Sequence, residues 1–143
     1  MIRPLLLGFL LLGACGKPAA PSIQVNDAWA RATAPGQTSA AVYATIVNEG
    51  GAGDRLVAVS SDRAAHAMLH EGSVENGIAR MRMVDQIELA PGERVELKPG
   101  GGHVMLTGVA KPLNPGDRFT LRLSFEKSGE KTVPVTVVGA GDR

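Results

Sequence analysis

FTLRLSFE, residues 119–126, alternates without a break. Phe119, Leu121, Leu123 and Phe125 are apolar, and Thr120, Arg122, Ser124 and Glu126 are polar. A period of two is the mark of a strand with one face buried. AAVYATIVN at 40–48 reads the same way, with Val42, Ala44 and Ile46 against Tyr43, Thr45 and Val47. Working outward, further short strands are predicted over 23–30, 56–60, 66–71, 78–84, 87–89, 94–97, 103–106 and 132–138. Turn residues separate them: Thr33–Gln37, Glu49–Asp54, Ser73–Gly77, Pro91-Gly92, Lys98–Gly102 and Pro112–Asp117. Trp29 is expected to anchor the edge of the core. Pro134 suits an edge or a bulge better than a central strand. No helical period of 3.6 runs through any long window beyond the N-terminal segment. Many short strands with closely spaced turns point to an all-β sandwich or barrel.

The chain has 143 residues, enough for one domain with a real core. Its 18 glycines and 9 prolines supply the turns, and its net charge of +1 carries no basic patch for nucleic acid. MIRPLLLGFLLLGAC opens the chain. Arg3 precedes an apolar run over 5–14 that is too short to span a bilayer. Small residues just before Cys15 resemble a bacterial lipoprotein signal. Residues 1–14 are therefore expected to be removed. Cys15 would then carry lipid and hold the protein at the membrane surface in the periplasm. Cys15 is the chain's one cysteine, so no disulfide framework is available. Residues 15–22 read as a lipidated N-terminus and short tether, 23–138 as the folded domain and 139–143 as a short tail.

Chemistry concentrates between residues 66 and 105. All three histidines and four of the five methionines lie there. Imidazole with thioether is a ligand set for copper, Cu(I) above all, and a poor one for calcium or magnesium. His103 and Met105 share one strand face, roughly 6.5 Å apart, opposite Val104 and Leu106. His70 and Met81 flank a turn, so a hairpin could bring them opposite each other. His66, Met68 and Met83 fall on the same faces, as an auxiliary set or as ordinary rim residues. Glu71 and Glu75 lie close enough in sequence to orient an imidazole. Taken singly, each Met also reads as core filling and each His as a surface residue.

The KPGGG turn at 98–102 is not a phosphate loop, since no GK[ST] or helix follows. A blue-copper centre needs a cysteine thiolate, and Cys15 stands at the processing site. There is no GxSxG elbow, and no catalytic groups cluster, so an enzyme is not expected. A structural or copper-sequestering surface lipoprotein is the alternative reading.

His70, Met81, His103 and Met105 follow the spacing His-x10-Met-x21-His-x-Met. DAWARATAPG at 27–36, AAVYATIVN at 40–48, LHEG at 69–72, MRMVDQIELAPGERVELKPGGGHVML at 81–106 and FTLRLSFEKSGEKTVPVTV at 119–137 surround them. In these residues the chain resembles the PCu(A)C family of periplasmic copper chaperones. The resemblance implies a cupredoxin-like β-sandwich of short antiparallel strands with Greek-key-type connections. It implies Cu(I) held by His70, Met81, His103 and Met105. It also implies delivery toward cytochrome c oxidase, or through a Sco-type assembly factor. One departure is Met83, where relatives commonly carry proline. The tail at 139–143 has no further His or Met, so Cu(I) is the expected state.

Overall fold

The computed structural model describes residues 18–143. The expected signal segment 1–14, Cys15 and the start of the tether lie outside the described residues. Ten strands follow in the expected places. They are β1 (Ile23–Arg31), β2 (Ser39–Asn48), β3 (Asp54–Ser61), β4 (Ala64–Glu75) and β5 (Ile78–Val84). After them come β6 (Ile87–Leu89), β7 (Arg94–Leu97), β8 (His103–Val109), β9 (Arg118–Phe125) and β10 (Gly129–Val138).

The hydrogen-bonded path runs β5-β4-β8-β2-β1-β10-β9-β3-β6, with β7 beside β2. The strands pair antiparallel as expected with one exception, β1 and β10, which pair in parallel. The path curls so that strands far apart along it share one core. Val42, Ile46, Leu69, Val104 and Leu106 meet Leu56, Leu121, Leu123, Val135 and Val137 there. This is the cupredoxin-like β-sandwich. The alternation at 119–126 explains itself here, since Phe119, Leu121, Leu123 and Phe125 are all buried. Pro134 lies where β10 pairs only with β9, so its missing N–H breaks no second ladder.

Two local features set the functional face. The first is a bulge in β1, where the pairing with β2 shifts between Asn26 and Trp29 and Asp27 takes φ 51°. A one-residue shift moves every following side chain to the other face. Ile23 packs in the core before the bulge and Ala30 after it. Trp29 is therefore displaced from the core edge, where its sequence position suggests it. It is buried on the opposite face, tilted at 40° against Tyr43 with ring centroids 4.6 Å apart.

The second is the β4–β5 hairpin. The expected turn at 73–77 is tighter, because β4 continues to Glu75. Asn76 (φ 52°) and Gly77 (φ 76°) make the whole connection. Positive φ at both central residues is the pattern of a type I′ hairpin, whose twist matches that of the strands.

Asn48, at the end of β2, is fully buried at 0% exposure. Its Nδ2 donates to the carbonyls of Ala52 (2.8 Å) and Leu89 (3.1 Å). Its Oδ1 accepts from the backbone N–H groups of Ser22 (3.1 Å) and Gly50 (3.0 Å). One side chain thus fastens the segment before β1, the 49–53 loop and β6.

Candidate metal centre

β5, β4 and β8 lie side by side, and directly opposed residues on neighbouring strands share a face. On the face away from the core, His70 opposes His103 of β8 on one side and Met83 of β5 on the other. One rung toward Ala64, Met68 opposes Met105. One rung toward the hairpin tip, Gly72 opposes Met81. His66 opposes Thr107 at the far end and is exposed. Val104 and Leu106 point into the core, as their alternation with His103 and Met105 requires.

The expected pairing of His70 with Met81 is corrected by this register. The two-residue Asn76-Gly77 turn places Met83 opposite His70, and Met81 sits two positions nearer the tip. Both thioethers remain on the His70 face. Met81 is 53% exposed and Met83 65% exposed.

His103 is only 3% exposed although it faces away from the core. Its ring meets His70 edge-on at 5.1 Å (73°) and Tyr43 at 6.3 Å (63°). Tyr43 then packs on Trp29, so an aromatic floor runs beside the imidazole pair. The His103 Nδ1 lies 3.3 Å from the Gly101 carbonyl, which makes Nδ1 the protonated nitrogen. Nε2 is left buried with no partner. An orphaned buried acceptor costs about 1–3 kcal/mol. A metal ion at Nε2 would remove that cost, with the Gly101 carbonyl holding the ring in the right tautomer.

Electrostatics agree. His70 titrates below the ordinary imidazole value, first because burial disfavours its charge and then because His103 stands beside it. Both effects keep a metal-competent neutral ring. Glu71 and Glu75 do not orient the imidazoles, contrary to expectation. They are engaged by Arg82 (2.9 Å) and Arg80 (3.3 Å), and Glu71, adjacent to His70 in a strand, points to the opposite face. Among the described residues no group of three or more His, Cys, Asp or Glu side chains could hold a metal. The further donors that the register puts on this face are thioether sulfurs, which suit a soft ion.

The glycine-rich turn positions His103. Lys98 N–H donates to Gly102 (2.9 Å), and Gly101 N–H donates back to Lys98 (2.9 Å). The turn lies against β4, so a Cβ at Gly72 would stand 2.7 Å from the Gly101 carbonyl oxygen and 2.9 Å from its carbon. Backbone cannot yield as a side-chain tip does. Gly72→Ala is therefore expected to cost about 1–3 kcal/mol, the usual range for overpacking. Thermal denaturation measures the loss, and amide shifts of Gly101 to His103 would locate the strain.

Sequence reasoning found the imidazoles and thioethers but missed the floor beneath them. Tyr43 was on the correct face of its strand, yet its contact with His103 follows only from β2 pairing with β8.

The sandwich and its His/Met face together define a cupredoxin-like domain equipped for a soft metal. The family model described as "Putative lipoprotein LpqE-like" matches residues 23–137. "Putative lipoprotein Lxx21020" of Leifsonia xyli subsp. xyli is 31% identical over 119 residues, spanning 82% of this chain and 70% of that protein. The solved "Copper-bound PCuAC domain from PmoF2" is 32% identical with a TM-score of 0.70, covering 84% of this chain and 96% of that one. The solution structure of the Cu(I) form of DR1885 from Deinococcus radiodurans is 30% identical with a TM-score of 0.63, covering 87% and 83%. This chain belongs to the LpqE-like family, and its domain is of the PCu(A)C copper-chaperone type.

Proposed function

We propose that the domain binds one Cu(I) through His70, Met81, His103 and Met105 and passes it to an acceptor. The acceptor is the copper-receiving part of cytochrome c oxidase or a Sco-type assembly factor. In this reading residues 1–14 are a signal segment and lipidated Cys15 holds the chaperone at the periplasmic membrane surface. Residues 15–22 tether the copper-binding domain of 23–138.

The observation that carries the proposal is the partnerless His103 Nε2, buried against His70 on a sheet face that Met81 and Met105 share. Gly72, with no side chain, stands between Met81 and the turn before β8. Neutral nitrogen and sulfur donors add no charge, so bound Cu(I) leaves a single positive charge near the surface. Stepwise replacement of the exposed thioether by an acceptor's ligand then needs little backbone movement.

Anaerobic titration against a Cu(I) chelator is expected to show one tight Cu(I) per chain. Mixing the loaded domain with an apo acceptor domain tests delivery. Copper that stays behind at equilibrium, with an acceptor of comparable affinity, would favour sequestration.

The pH dependence follows from His70. Protonated imidazole cannot bind, and the ordinary value is about 6.5. His70 is depressed, so it stays neutral at pH values where a free histidine has begun to charge. Affinity should hold level at and just below the ordinary imidazole value and fall at lower pH, as protons compete for the depressed His70. A level profile continuing through about pH 5 would count against histidine ligation.

A further inference from the structure

The cross-strand register points to a soft ligand outside the four. Directly opposed residues in an antiparallel pair have Cα atoms about 4.5–5.5 Å apart, whereas diagonal neighbours are about 7–8 Å apart. Met83 is directly opposed to His70, and Met81 is diagonal to it. Of the two β5 thioethers, Met83 therefore starts closer to the His70 imidazole. At 65% exposure it has no place in the core, so packing does not account for its position. Met68 stands opposite Met105, one rung from His70 and on the same face as Met83. Thioethers thus continue from the sheltered imidazole pair to the solvent edge of the sheet.

We propose that Met83 is a fifth Cu(I) ligand that exchanges with Met81 beside His70. This rests on the Cu(I) site proposed above. In the exchange one Cu–S bond forms as another breaks. The metal stays Cu(I), and no proton or electron is moved. Met83, the more exposed thioether, is the first to meet arriving copper and the last to hold departing copper. Met81 and Met83 lie on the same face of one strand, so the swap requires only side-chain rotation.

The test compares full domains: wild type, Met81→Ala, Met83→Ala and the double variant. Both positions are exposed, so folding is not at stake. Three readouts are taken: Cu(I) affinity by chelator competition, the rate of Cu(I) release to the chelator, and the number of sulfur neighbours per copper by X-ray absorption. Met81→Ala is expected to keep its wild-type sulfur number because Met83 steps in. The double variant should lose a sulfur and bind at least about tenfold more weakly than the two single effects combined, a coupling above 1.4 kcal/mol. Met83→Ala should release copper several-fold more slowly while holding it almost as tightly. A Met81→Ala variant that loses a sulfur, or strictly additive losses, would overturn the proposal. Failure of wild type to bind tight Cu(I) would instead bring down the four-ligand site itself, and this inference with it.

Discussion

His103→Ala is expected to remove tight Cu(I) binding while the sandwich stays folded. Substitutions of residues that merely support a metal ligand weaken binding by about 10–100-fold. Losing a direct, preorganised nitrogen donor should therefore exceed about a hundredfold. In the proposed site, three features single out His103 as the dominant donor. It is almost wholly buried, its ring is fixed between His70 and Tyr43, and its tautomer is set by Gly101. The exposed thioethers have none of these constraints, and their loss should be milder.

The same substitution should change apo stability little, because two terms oppose each other. Truncating a buried ring leaves a cavity, at a cost of a few kcal/mol, on the order of 3. It also removes the orphaned Nε2, which relieves about 1–3 kcal/mol. Thermal melting with and without Cu(I) separates binding from folding. Wild type should melt higher when loaded, by mass action. The variant should melt at one temperature in both conditions. A variant that is still stabilised by Cu(I) would mean that His103 is not a ligand.

The second large effect is expected far from copper. Asn48→Leu keeps the side-chain bulk and deletes four hydrogen bonds at a site with no solvent contact. Each stranded backbone group costs about 1–3 kcal/mol when it stays dry. Ser22 is exposed and Gly50 only partly buried, so both can recover water and the four losses do not add in full. A loss of about 3–5 kcal/mol is expected, a large share of a domain's typical stability. Urea denaturation should show a lower midpoint with an unchanged slope. Cu(I) affinity of the folded variant should be nearly unaffected, since β8 pairs with the other half of β2, at Ser39–Val42. An unchanged midpoint would show that the 49–53 loop holds itself without Asn48.

Alternation was enough to locate the strands, because each buries one face against a single core. The phase of FTLRLSFE and of AAVYATIVN could be read directly, and so could the shared face of His103 and Met105. Two things could not be read. Alternation says nothing of an extra residue, so the β1 bulge displaced Trp29 from its expected place. Nor does alternation set register across a hairpin, which depends on turn length. Asn76-Gly77 is a strong two-residue signal, yet a four-residue turn over 74–77 would keep the same faces and set Met81 opposite His70. The difference decides which methionine stands opposite His70. The burial of His103 lay beyond both limits, since Tyr43 is sixty positions away in sequence and reaches it only through strand order.

The parallel seam between β1 and β10 has a consequence for the order of assembly. Trp29 and Thr136 are more than a hundred positions apart, yet they are register partners. The first strand made must wait for the last before its outer edge is closed. Contacts of such long range are entropically slow to form and give the chain a high contact order. Until β10 arrives, β1 presents an unpaired edge to any neighbour. A folding copy of this domain is therefore most exposed to mispairing until β10 has docked on β1, and depends on that strand to become a separate folded object.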